Sequence, residues 1–173
     1  MINKIYLNKI SDLKEHFSKN GSLILHEFLS EDIKKEVLNL KFIKEYSPMK
    51  YSYSKSNFKL NNEILDFISK ILGKEINNNF ESFSFGWKDY TILSDEINYE
   101  YGIDIIIDFA DDWDSNFGGS IVYVDGSGNY TKIEPSSNTL ILFDKKDNKR
   151  FIQYVNNFAK DKKRIFILGS FKY

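Results

Sequence analysis

The sequence predicts an α+β fold in which antiparallel strands form a jelly-roll-like double sheet packed on N-terminal helices. Three observations carry the prediction. Apolar residues recur at helical spacing through the first part of the chain, and the period changes to two beyond residue 76. The strand-like runs of the second part are separated by turn-forming residues at a spacing of roughly 8–12 residues, the pattern of sandwiches and barrels. The composition, 42% hydrophobic and 16% aromatic over 173 residues, supplies enough apolar surface for one substantial core. No linker or internal repeat interrupts the chain. Residues 1–173 therefore read as one domain, with helical support over 1–75 and a strand-rich core over 76–173.

The elements follow in order. Ser11–Lys19 sets Leu13 and Phe17 on one helical face, and Gly21 stands where a left-handed cap ends a helix. Ser22–Phe28 (SLILHEF) is a short apolar strand. Ser30 caps a second helix whose first turn holds Glu31 and Asp32, acids that suit the positive end of the helix dipole. Its apolar face is Ile33, Val37 and Leu40. Tyr51 and Tyr53 alternate with serines as a half-buried strand, and Asn62–Leu72 is an amphipathic helix ended by Gly73. Then Phe83, Phe85 and Trp87 alternate with Ser84 and Gly86, and Ile103, Ile105, Ile107 and Phe109 alternate with Asp104 and Asp108. Ser120–Val124, Tyr130–Glu134, Thr139–Phe143, Phe151–Val155 and Arg164–Phe171 complete the strands. Asp125–Asn129, Pro135–Asn138 and Asp144–Asn148 supply turn chemistry between them.

Residue usage narrows the function. A formal net charge of -1 gives no electrostatic case for nucleic acid or a membrane surface as partner. The absence of cysteine excludes disulfides and thiolate metal sites. No stretch reaches the roughly 18 apolar residues of a membrane span, and Met1–Lys9 lacks the apolar core of a signal peptide, so a cytoplasmic protein is expected. The two histidines, His16 and His26, both precede the strand half, which therefore cannot hold a Ser-His-Asp arrangement. Of 24 basic residues only Arg150 and Arg164 are arginines, which singles them out in a chain otherwise built with lysine.

Four stretches carry a resemblance. Asp108–Trp113 followed by Gly118–Ile121 reads as a strand, an acidic turn, a tryptophan and a Gly-Gly strand start. Ile133–Pro135 leads to the apolar run Leu140–Phe143. Arg150–Val155 and Arg164–Phe171 are strands that each open on an arginine. In this order, with the Ser22–Leu40 stretch ahead of them, they resemble the Fe(II)/2-oxoglutarate-dependent dioxygenase superfamily in its prolyl 4-hydroxylase-like branch. The resemblance implies a double-stranded β-helix (jelly roll). It also implies iron held by a His-x-Asp pair and a distal histidine, with the cosubstrate bound by a basic residue at the head of the last strand. In register, the His-x-Asp position falls on Leu93-Ser94-Asp95 and the distal histidine on Arg150. Asp95 suits the carboxylate. Leu93 has no lone pair, and Arg150 is a fixed cation that cannot ligate a metal. No shift of register restores the site, because no histidine follows His26.

No catalytic residue and no metal site are therefore expected, with Leu93, Asp95 and Arg150 the degenerate positions and Fe(II) not expected as a cofactor. Arg150 is expected to enter the space of the iron and pair with Asp95, since a fork of guanidinium nitrogens can satisfy a buried carboxylate. Arg164 is the candidate for binding 2-oxoglutarate or another small carboxylate. The implied function is an oxygenase-like domain without iron chemistry that binds a small carboxylate or a protein partner. The alternative is an active 2-oxoglutarate-dependent dioxygenase, a hydroxylase of a protein or amino acid, with a non-standard metal site.

The remaining constellations have plainer readings. His26 reads as a strand histidine satisfied by hydrogen bonds. Asp112–Gly118 reads as a turn, because its glycine falls one residue late for a calcium loop and Tyr123 stands where the bidentate glutamate would be. Asp104 and Asp108 read as a solvated acidic face, or by their place in the resemblance as lining of the pocket mouth, and Lys145–Arg150 as a solvated basic loop before a phosphate or nucleic-acid contact. Gly126, Gly128 and Gly169 precede no helix and so form no phosphate-binding loop.

Overall fold

The computed structural model describes residues 2–93 and 102–172. The helices come first, where the 3.6-residue period placed them. The short α1 (Lys4–Leu7) leads into α2 (Ile10–Asn20), which Gly21 closes in the left-handed conformation (φ 68°). The Gly21 N–H bonds the Phe17 carbonyl, satisfying one of the acceptors that a helix C-terminus leaves open. α3 (Glu31–Leu38) starts from Ser30 at its N-cap position, but the expected capping bond from the Ser30 side chain is not made. α4 (Asn62–Leu72) is capped by Asn61, whose side chain accepts from the Ile64 N–H at 2.9 Å, and ends at Gly73 (φ 69°). It buries Ile64, Phe67, Ile68 and Ile71, the stripe its spacing requires.

The strands are β1 (Ser22–Leu25), β2 (Ile43–Ser47), β3 (Tyr51–Asn57), β4 (Glu81–Phe85), β5 (Tyr90–Thr91), β6 (Gly102–Asp108), β7 (Ile121–Val124), β8 (Tyr130–Ile133), β9 (Thr139–Lys146), β10 (Lys149–Ile152) and β11 (Arg164–Lys172). Two antiparallel sheets result. The larger has the order β1-β9-β6-β11-β4-β3-β2, with β5 added to β3, and the smaller has the order β10-β7-β8. Non-sequential neighbours in the larger sheet, such as β9 beside β1 and β11 between β6 and β4, are the crossovers of a double-stranded β-helix.

Strand parity divides the interior into two cores. Ile103, Ile105 and Ile107 of β6, Leu140 and Leu142 of β9, and Ile165 and Ile167 of β11 face the helices and pack on Phe17, Phe28, Phe67 and Ile71. The alternate residues Ile106, Ile141, Phe166 and Leu168 face the smaller sheet and pack on Ile121, Tyr123, Ile133 and Ile152. The larger sheet is thus buried on both faces along much of β6, β9 and β11, and apolar residues stand on both parities of those strands.

Three expectations are corrected here. β9 runs on to Lys146, through much of the stretch assigned to a turn, because Gly102–Ile103 of β6 continues the ladder opposite it across a register shift. The strand expected at Phe151–Val155 is Lys149–Ile152, paired with β7. Trp87 lies past the end of β4 and is 51% exposed. β2 carries no clean alternation in the sequence and forms because β3 provides an edge to pair with, Tyr46 opposite Ser52.

Candidate functional site: the polar interior between the sheets

β6 is buried over its whole length, Asp104 and Asp108 included, each with no exposed surface. This corrects the reading of the two acids as a solvated face. Parity places residues 104, 106 and 108 between the sheets, and both faces of this strand are covered. A carboxylate there needs a cation and hydrogen-bond donors, and the structure provides both at each position.

At one end of the sandwich Asp108 meets Arg164, the first residue of β11. The Arg164 Nε donates to Asp108 Oδ1 at 3.3 Å and to Oδ2 at 3.2 Å, and Nη2 donates to Oδ2 at 2.5 Å. Neither side chain has exposed surface. The remaining guanidinium nitrogen, Nη1, donates to the Gly119 carbonyl. The Gly118-Gly119 pair makes that contact possible. Gly118 has φ 78°, and a Cβ built on it would lie 2.2 Å from the Tyr154 carbonyl oxygen, so only glycine fits where this turn passes under β10's exit. Trp113 Nε1 donates to the Gly118 carbonyl at 3.0 Å and holds the turn from the other side. The Ser136 N–H adds a bond to Asp108 Oδ2 at 3.2 Å, and the guanidinium lies 4.7 Å over the Phe166 ring. Burial pushes the Asp108 carboxyl up, against the pull of Arg164 and of the Ser136 and Phe109 N–H groups.

At the other end Asp104 meets Arg150 of β10, whose Nη1 donates to Asp104 Oδ2 and to Ser170 Oγ, the latter at 3.4 Å. Tyr123 O–H donates to Oδ2 at 2.8 Å, Ser170 O–H to Oδ1 at 2.6 Å, and Lys145 Nζ lies 3.5 Å from Oδ1. Burial pushes this carboxyl up, but Arg150, Lys145 and the hydroxyls of Ser170 and Tyr123 outweigh it and hold Asp104 below the ordinary carboxylate range. The same contacts raise Tyr123, chiefly through burial and then through the Asp104 charge. Lys145 is 7% exposed, so the expected solvated basic loop is in part an inward-facing strand residue.

The positions singled out in the sequence fall as follows. Arg150 and Arg164 both enter the space between the sheets, at opposite ends of it. Leu93 is 39% exposed and lies just past β5, which is tied to β10 by the Ile152 N–H bonding Thr91 Oγ1 at 2.7 Å. Ser94 and Asp95 lie outside the described residues, and so does the expected Asp95–Arg150 pair. The described carboxylate that Arg150 meets is Asp104. His26 is exposed on β1's exit, with Nδ1 3.2 Å from Thr139 Oγ1. Asp114 accepts from the Asn116 N–H at 2.8 Å and caps a short 3-10 turn, Ser115–Phe117, as turn chemistry requires.

A two-imidazole, one-carboxylate iron site does not fit these residues. Among the described residues the charged groups facing inward are two permanent cations, a lysine and two carboxylates already engaged by them, and no histidine follows His26 in the sequence. Among the described residues no three histidine, aspartate or glutamate side chains converge as a metal would need.

With the geometry in hand, likeness to known structures follows. The fold is the double-stranded β-helix of the prolyl 4-hydroxylase-like 2OG-Fe(II) oxygenases. A prolyl hydroxylase from Trichoplax adhaerens, in complex with a hypoxia inducible factor oxygen degradation domain peptide fragment, superimposes with a TM-score of 0.72 at 14% identity, covering 98% of this chain and 94% of that one. A Pseudomonas putida prolyl-4-hydroxylase gives 0.66 at 10% identity, covering 95% and 98%. A 2OG-Fe(II) oxygenase family oxidoreductase from Burkholderia pseudomallei gives 0.67 at 11%, covering 93% and 89%. No family model and no curated protein matches the sequence. Among the described residues, no helix is long and apolar enough to cross a membrane.

Sequence reasoning missed Asp104 and Asp108 as interior groups. The signal was present: a seven-residue run with isoleucine on both parities is a strand buried on both faces, and two acids inside such a strand call for two interior cations. Arg150 and Arg164 are the only arginines the chain has.

Proposed function

We propose that this chain is a non-catalytic oxygenase-like domain that acts by binding a protein partner. The observation that carries the reading is the pair of internal ion pairs. Each arginine that faces the space between the sheets already has a carboxylate from β6 as its counter-ion. Asp108 meets Arg164 much as the carboxylate of a bound small acid would, and Arg150 spends its charge on Asp104. A free dicarboxylate would have to displace Asp108 from a fully buried guanidinium. This supports a protein partner over a carboxylate ligand. The rim beside β5 and the exit of β10 exposes Ile92 (43%), Leu93 (39%), Tyr154 (48%) and Phe158 (66%), side chains of the type that anchors a bound segment. The similarity to a prolyl hydroxylase complexed with a peptide fragment is consistent with binding a protein segment. On this reading residues 1–173 act as one such domain in the cytoplasm, without Fe(II) and without 2-oxoglutarate.

Thermal unfolding of the purified chain with Mn(II), with 2-oxoglutarate and with both tests it. Binding to the native state raises the midpoint by mass action. The expected result is no change under any condition. A metal-dependent rise of several degrees would overturn the reading in favour of an active dioxygenase. A rise with 2-oxoglutarate alone, lost in Arg164→Lys, would replace it with a carboxylate-binding module.

A further inference from the structure

The outer face of the larger sheet, opposite the polar interior, carries a second site. Phe83 and Phe85 of β4 pack between the sheets, so Ser82 and Ser84 face the other way. On β3, Ser54 pairs with Ser84 and Ser56 with Ser82, which lays a field of hydroxyls across two strands. Ser84 and Ser54 form part of the floor of a cleft of about 370 Å³, within the size of small-molecule sites. Ser84 is 3% exposed, and neither its hydroxyl nor that of Ser54 is bonded to another described residue. Next to it Ser82 Oγ is buried with no hydrogen-bond partner among the described residues.

The walls are cationic. The segment between β10 and β11 brings Lys160 and Lys163 to the cleft, and neither is paired with an acid among the described residues. Lys44 enters from β2 and is held there by Asp89, which also accepts from Ser52 O–H at 2.6 Å and from the Gly86 N–H at 3.0 Å. Asp89 is thereby satisfied within the protein. Asp161 also lines the cleft as an opposing charge, and Lys162, another lining residue, has its ammonium engaged by the Asp112 carbonyl at 2.7 Å. Trp87 lines the cleft with half of its surface free, and Lys88 lies 4.5 Å over its ring. A chain with net charge -1 thus gathers four lysines and two aspartates around two unengaged serine hydroxyls and one exposed indole. Lysines act as point charges for phosphate, hydroxyls donate to its oxygens, and an indole face stacks on a flat ring.

We propose that this cleft binds a small phosphate monoester carrying a flat ring, with Lys160, Lys163 and the hydroxyls of Ser54 and Ser84 on the phosphate and Trp87 against the ring. The proposed phosphate and ring contacts use neither the interior arginines nor Ile92, Leu93, Tyr154 or Phe158.

Isothermal titration of the whole chain with adenosine monophosphate, ribose 5-phosphate, inorganic phosphate and citrate tests the proposal. Adenosine monophosphate is expected to bind at submillimolar concentration and more tightly than ribose 5-phosphate or phosphate. Its affinity is expected to fall by about tenfold or more in Lys160→Glu/Lys163→Glu, whose exposed positions leave the fold intact by circular dichroism. Ser84→Ala gives a second reading from the floor, with a loss of a few fold. No binding of any phosphate compound at 10 mM overturns the proposal, as does affinity unchanged in the double lysine variant. Citrate binding as tightly as adenosine monophosphate, or ribose 5-phosphate matching it, overturns the ligand class.

Discussion

Removing Asp108 gives the sharpest test of the internal ion pairs. Asp108→Ala leaves Arg164 with no exposed surface, three bonds to the lost carboxylate gone and, among the described residues, only the Gly119 carbonyl as a hydrogen-bond partner. It also strands the Ser136 N–H, which donates to the same carboxylate at 3.2 Å. Taking one partner from a buried pair costs about 3–5 kcal/mol, because the other charge stays in a medium that cannot solvate it. For a domain of this size each kcal/mol moves the melting midpoint by about 2–4 °C, so a fall of roughly 6–20 °C is expected. Salt should not soften the effect, since a pair without exposed surface is barely screened. Urea unfolding followed by circular dichroism measures the free energy directly. Two companions sharpen it. Formate or acetate should restore part of the loss by filling the vacated carboxylate position. Asp108→Leu with Arg164→Met should cost far less than either change alone, because no charge is left buried. A loss below about 1 kcal/mol for Asp108→Ala, within the range of a surface pair, would refute the claim that the arginine depends on Asp108.

Further outcomes follow from the same contacts. Tyr123→Phe removes a 2.8 Å hydrogen bond to Asp104 and should cost about 1.5–3 kcal/mol in urea unfolding, as for a bond to a charged acceptor. Arg150→Ala should cost less than Asp108→Ala, since its side chain is 23% exposed and Lys145 remains beside Asp104. Asp104 has a folded carboxyl value below the unfolded one, so its stabilisation is complete above about pH 4 and is lost as pH falls below that toward the folded value. The gap in melting midpoint between the wild type and Asp104→Asn should therefore be widest near neutrality and narrow by pH 3. Gly118→Ala must push a methyl group against the Tyr154 carbonyl in a left-handed turn, and should lower the midpoint by several degrees and weaken the Gly119–Arg164 contact.

Much of the architecture was legible in the chain. The amphipathic stripe of α4 is visible with its ends, Asn61 before it and Gly73 after it, because helix caps are local chemistry. The β6 and β11 runs are visible because each is a short apolar stretch rich in isoleucine, a signal that needs no knowledge of neighbours. β2 was not legible: Ile43–Ser47 has no period of its own and becomes a strand by pairing with β3. The inward turn of Lys145 was missed because an Asp-Lys-Lys-Asp-Asn string reads as a loop until β6 is laid beside it. At the site, Arg150 and Arg164 could be picked out by rarity and by their place at strand heads. Their partners could not, since Asp104 and Asp108 are 46 and 56 residues away in the chain.

What the sequence determined by itself is the inventory: no cysteine, no histidine after His26, two arginines and a strand half that cannot assemble an imidazole iron site. Those are statements about which donors exist, and they hold in any fold. Tertiary structure alone decided which carboxylate meets which guanidinium. Parity told that Asp104 and Asp108 share one face of β6, but only the arrival of the second sheet and of β11 made that face an interior, where a lone charge is too costly to stand and an arginine must answer it.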